Sequence, residues 1–396
     1  MPISYNARHV SLALSGGNAL GAYAAGAYVA LHDAGRRVDR VSAASIGAVN
    51  GAILAGNPPH LRVQKLQEFW SHASTWTLFS APPSVRGARE AYNRLHVMQS
   101  MVMGRPGLFA TRPTGYFSLF PGTPPDIGLF DAQPLRDTLE RLVDFHYLNN
   151  GELQLTIASV DVETGEGVYF DNRVQAIRPE HVLASAAFIP GFPPVEIDGR
   201  LLCDPGMFCN MPLDPLLLEA PPADHVCFAV DLFDARGGRP FSMDTALERA
   251  QDIAFASQSL RTIEAFRREY RLRRLLDQQV AKQRDADNPV GGLGNGRYNE
   301  TSVVLLAYQP AAHELGTKAL EFSAASLSER WTAGQQDMAA AIEALETGRA
   351  TTQDPGFSVY DCRRPLGPRR QGRRDTAEPG TADSAEAQAS PCKTSG

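Results

Sequence analysis

The chain has 396 residues, 43% of them hydrophobic and 21% charged, with a formal net charge of −6. This length fits one large α/β unit with additions or two to three smaller domains, and the hydrophobic share is enough for a sizeable core. The balanced charge excludes a disordered acidic protein and argues against a nucleic-acid binder. Cys203, Cys209, Cys227, Cys362 and Cys392 are irregularly spaced and form no CxxC pair, which argues against zinc ribbons, redox motifs and a disulfide scaffold. Met1 to Arg8 does not read as a signal peptide, and no apolar run reaches the roughly 18 residues of a membrane span. A reduced, cytoplasmic enzyme is the expectation.

In chain order, His9 to Ser15 reads as a buried strand that ends in Gly16-Gly17. Asn18 to Ala34 reads as a helix, Val38 to Ala43 as a second strand, and Ser45 to Ala55 as a second helix. Leu61, Leu66, Phe69 and Trp70 form the apolar face of a third helix. Alternation at this spacing predicts an α/β fold, with a mostly parallel sheet covered by helices. Residues 73–131 break the rhythm with Pro, Gly, Met and aromatics, and read as an irregular insertion or lid. Its Trp76, Phe79, Met98, Met101, Met103, Phe109, Tyr116, Phe117 and Phe120 fit either an acyl pocket or membrane-contacting surface, or the core of a larger domain. A helix through Leu135, Leu139 and Leu142 follows, then strands at Leu153 to Val160 and up to Asp171-Asn172. Val195 to Cys203 reads as a hairpin turning at Asp198-Gly199. Val226 to Leu232 is a further buried strand, residues 243–285 a long helix, Val303 to Tyr308 a late strand and Ala324 to Leu345 a late helix. The Arg267-Arg268, Arg271 and Arg273-Arg274 cluster reads first as the solvated face of the long helix, and otherwise as a headgroup contact. From Arg364 to Gly396 apolar residues almost vanish, which predicts a disordered tail.

Ser45 lies in Ala43-Ala44-Ser45-Ile46-Gly47, between a predicted strand and a predicted helix. That is the context of a nucleophile elbow, although a serine in a small-residue packing seam has the same signature. Gly16-Gly17-Asn18-Ala19-Leu20-Gly21 can aim successive backbone N–H groups at one anion, as an oxyanion hole requires. It fails as a dinucleotide loop because Asn18 breaks the glycine spacing and no acid closes the second strand. Asp204, in Cys203-Asp204-Pro205-Gly206, can deprotonate a nucleophile or simply make a turn. After Asp204 only His225 and His313 remain as triad candidates, and neither has a triad-like setting. No His/Asp/Glu cluster has metal-ligand spacing, so neither a metal nor a cofactor is expected.

Together these pieces resemble the patatin-like phospholipases: a Gly-rich turn, a GxSxG-like elbow, and a distal Asp-x-Gly followed by Asn210-Met211-Pro212. Ala184 to Pro194 is similar as well. The stretch around Phe322-Ser323-Ala324 and Arg330-Trp331 resembles the C-terminal extension of a bacterial patatin subgroup. The likeness covers residues 8 to 348. It implies an α/β domain over 1–348, with 73–131 as the insertion and 243–348 as a helical extension with one late strand. It further implies Ser45 and Asp204 as a catalytic dyad without histidine, Gly16, Gly17 and Asn18 as the oxyanion hole, and Gly21, Gly47 and Gly206 as supporting glycines. The implied substrate is a lipid or other acyl ester. Ala43, Asn18, Leu20 and Pro205 depart from the family pattern, which keeps open a catalytically weak lipid-binding or scaffold protein; an acyltransferase is a third reading.

Overall fold

The computed structural model describes residues 9–74, 86–118, 120–123, 125–218, 223–287 and 299–365. The predicted tail therefore lies outside the described residues apart from Arg364 and Pro365. Trp76 and Phe79 of the insertion also lie outside them.

Ten strands form one sheet among the described residues: β1 (His9–Leu14), β2 (Arg40–Ala43), β3 (Gln154–Asp161), β4 (Gly167–Asp171), β5 (Val195–Ile197), β6 (Arg200–Cys203), β7 (His225–Asp231), β8 (Thr301–Ala307), β9 (Thr352–Asp354) and β10 (Phe357–Asp361). Their order is β9-β10-β8-β7-β1-β2-β3-β6-β5, with β4 also paired to β3. The central pairs, from β10 through β8, β7, β1 and β2 to β3, are parallel. β7 and β8 are buried along their whole length. Near-continuous apolar runs such as Val226 to Val230 are what strands covered on both faces require.

The main helices are α1 (Gly21–Asp33), α2 (Ile46–Ala55), α3 (Pro59–Ala73), α4 (Arg86–Met103), α5 (Gln133–Leu142), α6 (Pro179–Ala186), α7 (Met243–Asp287) and α8 (Ala324–Glu346). Each αβ step seen in the sequence is present, and the hairpin turns where expected: Asp198 and Gly199 have φ of 51° and 77°, the left-handed pair that a tight hairpin requires.

One expectation needs correction. The insertion is not irregular throughout, because α4 runs for 18 residues inside it. Within 243–348 the strand among the described residues is β8, and β9 and β10, past residue 348, extend the sheet beyond it. α8 lies directly on α1. A Cβ on Gly334 would fall 2.0 Å from the Tyr23 carbonyl oxygen, and one on Gly26 2.0 Å from that of Trp331. Only glycine at both positions lets the two backbones approach this closely.

Candidate active site

The sheet brings Ser45 and Asp204 together. β2 pairs with β3 as far as Ala43 opposite Ile157, and β6 then pairs antiparallel with β3, Cys203 opposite Val160. The two strands thus meet head-on along one edge of β3, and both chains turn away from it in the gap. Ser45 follows β2 at one turn and Asp204 follows β6 at the other. Both side chains line the same cavity, and the Ser45 hydroxyl lies near enough to Asp204 to favour its ionised form.

Ser45 has φ 55° and ψ −126°, a strained backbone for a residue with a Cβ. Two contacts hold the elbow. Its N–H donates to the Ser185 hydroxyl at 2.9 Å, and Ser185 is fully buried at the end of α6. Behind it, Gly47 lies so near the end of β1 that a Cβ would fall 2.5 Å from the Leu14 carbonyl oxygen. The sequence ASIG therefore folds as a sharp strand-to-helix turn, with Ser45 at the N-terminus of α2.

The Gly16–Leu20 segment turns beside it. Asn18 has φ 51°, a conformation that Asn tolerates better than most side-chain-bearing residues. This is why Asn stands where glycine is usual. The Gly16 N–H, expected in the oxyanion hole, instead donates to the Asn210 carbonyl at 3.0 Å. The Gly17 and Asn18 N–H groups have no hydrogen-bond partner among the described residues. Asn210 also donates from Nδ2 to the Gly16 carbonyl at 3.2 Å and receives its own backbone support from Gln258 of α7. A Cβ on Gly16 would meet Asn210 Oδ1 at 2.6 Å and Ser45 Cβ at 2.9 Å. On the far side, the wholly buried Arg330 of α8 donates to the Ala19 carbonyl at 3.3 Å and to those of Glu321 and Lys318. The C-terminal region thus braces the loop next to the nucleophile candidate.

Asp204 is 5% exposed. Burial raises its carboxyl from 3.8 to about 6, against the opposing pull of the Ser45 hydroxyl and the Gly206 N–H. The latter donates to Oδ1 at 2.8 Å. Pro205 offers no N–H, so Gly206 is the backbone donor at this turn. Leu20, at the position of a frequent family arginine, is buried in the core.

Ser45, Asp204, Gly16, Gly17 and Asn18 all line one cavity of about 620 Å³. Its walls are Ile46, Val49, Phe109, Phe130, Leu135 and Phe192 with other apolar groups, and Asp204 is the one ionisable side chain among the lining residues. A second depression, bordered by Glu68, His72, Asp137 and Arg141, is charged and shares no residue with it. Neither late histidine enters the first cavity. The Nε2 of His225 is bonded to the Ser11 hydroxyl at 2.6 Å at the start of β7, the opposite end of the sheet from the Ser45 turn. His313 pairs with Glu329 at 3.0 Å. Of the Met and aromatic residues singled out in the insertion, Phe109 lines the cavity, whereas Met98, Met101, Met103, Phe117 and Phe120 are exposed. In the arginine cluster, Arg267 pairs with Glu264 and Asp354, and Arg273 with Glu269. No described helix is long and apolar enough to cross a membrane.

Sequence reasoning missed Ser185 and the clasp made by Asn210. Ser185 lies in an Ala-rich run with nothing to mark its hydroxyl, and Asn210 entered only as part of a motif.

No curated protein matches the chain. Among solved structures it is similar to VipD from Legionella pneumophila, at 13% identity over 85% of this chain and 67% of that one, with a TM-score of 0.37. It is also similar to the type III effector ExoU of Pseudomonas aeruginosa, at 13% identity over 86% and 53%, TM-score 0.34. Human GIVD cytosolic phospholipase A2 matches at 13% identity over 56% and 43%, TM-score 0.32. The chain thus spans between 43% and 67% of the length of these three. A family model described as patatin phospholipase matches residues 253–354. The model for patatin-like phospholipases matches residues 12–217, just over half of the sequence, and the chain belongs to that family.

Proposed function

We propose that the protein is a serine-dependent hydrolase of lipid acyl esters, with Ser45 as nucleophile and Asp204 as general base. The observation that carries this reading is the meeting of the Ser45 hydroxyl and the buried Asp204 carboxyl in one apolar cavity. Asp204 takes the hydroxyl proton as Ser45 Oγ bonds to the ester carbonyl carbon. The resulting oxyanion is held by the Gly17 and Asn18 N–H groups and by the N-terminus of α2. The intermediate collapses, the ester C–O bond breaks, and the leaving alkoxide takes the proton from Asp204. Water then gives a proton to Asp204 and attacks the acyl-enzyme. The fatty acid leaves and Ser45 recovers its proton. A carboxylate raised to about 6 is a better base than an ordinary one yet remains ionised at neutral pH. The apolar walls suit an acyl chain.

The test is release of fatty acid from a p-nitrophenyl acyl ester and from a phospholipid of the same chain length. Ser45→Ala and Asp204→Asn are each expected to lower kcat by at least about a thousandfold. Wild-type turnover by Ser45→Ala would overturn the assignment.

A further inference from the structure

α4 turns several polar side chains inward and a cluster of apolar ones outward. The side it turns to the protein is mainly polar: Arg89, Asn93, His96 and Ser100 are buried beside Tyr92 and Val97, with Arg89 bonded to Ser326 and Glu329 and Asn93 to the His313 carbonyl. The side it turns to solvent carries Leu95, Met98, Met101, Val102 and Met103. A helix on a globular core does the opposite. The following loop continues the surface with Phe117, Phe120 and Ile127, which are 60%, 64% and 62% exposed. The Tyr116 hydroxyl donates to the Met101 carbonyl at 2.7 Å and fastens this loop to the end of α4.

The chain that follows this surface is fastened to the wall of the cavity that holds Ser45. Leu129 and Phe130 both donate to the Gly191 carbonyl at 2.9 Å, which joins the loop to Phe188–Phe192. In that segment Phe188 and Ile189 are exposed, while Phe188, Pro190 and Phe192 line the cavity. The charge on the patch is small. Arg94 is the exposed charged residue of α4 among those described, and in the loop Asp126 is neutralised by Arg112.

From this we infer that the exposed apolar side chains of α4, with Phe117, Phe120 and Ile127, form a docking surface for a lipid bilayer, which sets the mouth of the Ser45 cavity at the lipid surface. A cluster of exposed apolar side chains marks an interaction site. Met, Phe, Val and Ile with almost no charge match the acyl boundary of a bilayer, where binding grows with buried apolar area. The substrate reading makes the occupant specific, because acyl esters reside in the same phase. The inference rests on that reading only for its choice of partner. Binding is therefore expected on neutral lipid and independent of salt, since little of it is electrostatic.

The experiment is flotation of the full chain with pure phosphatidylcholine vesicles at low and high salt. Wild type, Ser45→Ala and the triple variant Val102→Glu/Phe117→Glu/Phe120→Glu are compared. Wild type and Ser45→Ala are expected to float equally at both salts. The triple variant should lose at least about tenfold in partitioning, while its turnover of a soluble short-chain ester stays within about twofold of wild type. No flotation of wild type overturns the inference. So does flotation only with anionic lipid that salt abolishes, undiminished flotation of the triple variant, or a wild-type dimer that the variant dissociates. Flotation without any ester turnover would sink the hydrolase reading and leave the docking surface standing. Turnover of the soluble ester without flotation would do the reverse.

Discussion

Replacing Asp204 by Asn should stabilise the fold at neutral pH while destroying activity. The rise of the carboxyl from 3.8 to about 6 corresponds to about 3 kcal/mol held against the ionised form. A folded value above the unfolded one means that this cost is fully present above pH 6. It declines as the pH falls and is gone below the unfolded value. The amide of Asn keeps an acceptor for the Gly206 N–H and loses roughly 1 kcal/mol of the carboxylate's favourable interaction with the Ser45 hydroxyl. The expected net gain for Asp204→Asn is therefore about 2 kcal/mol at pH 7.5. At pH 4.5 only about 1 kcal/mol of the cost remains, so the gap should close. Urea unfolding of both proteins at the two pH values measures it. A variant equal to or less stable than wild type at pH 7.5, or a gap that ignores pH, would refute the claim that burial dominates at this carboxylate.

Three further outcomes follow from the same geometry. The kcat/KM profile should fall on the acid side with a midpoint near the raised value of about 6, leaving roughly a tenth of the activity at pH 5; an ordinary carboxylate would keep more than nine-tenths there. Ser185→Ala removes the acceptor of the Ser45 N–H. It should lower kcat by about ten- to a hundredfold with KM changed less than about twofold, read from steady-state kinetics. Gly334→Ala sets a methyl against the Tyr23 carbonyl oxygen; a loss of about 2–3 kcal/mol in unfolding free energy is expected, with the pH midpoint of activity unmoved.

The elements that depend on local chemistry were legible in the sequence. His9 to Ser15 is apolar and ends in two glycines, and ASIG packs a strand end against a helix start. Asp198-Gly199 supplies the only residues of its hairpin that must go left-handed. α4 does carry helical spacing in Leu95, Met98 and Val102, but the Pro, Gly and aromatics that flank it in 73–131 obscure that signal. β9 and β10 are short, and half-buried residues such as Thr352 and Tyr360 do not mark a sheet edge. Gly16 shows a different limit. The sequence identifies a loop with N–H groups to offer, but only Asn210, nearly two hundred residues downstream, decides that the Gly16 group is already engaged. The pairing of Ser45 with Asp204 needed both the motif and the family resemblance, since the register of β2 and β6 on β3 that causes it is invisible in either strand alone.

The central claim is that Ser45 is a nucleophile activated by Asp204. Treating wild type, Ser45→Ala and Asp204→Asn with an alkyl fluorophosphonate and mapping the adduct by peptide mass spectrometry tests it most directly. A single phosphonyl adduct on the Ser45 peptide of wild type, none in Ser45→Ala and greatly slowed labelling in Asp204→Asn is the predicted result. An unlabelled wild type, an adduct on another residue, or labelling of Asp204→Asn at the wild-type rate would contradict it.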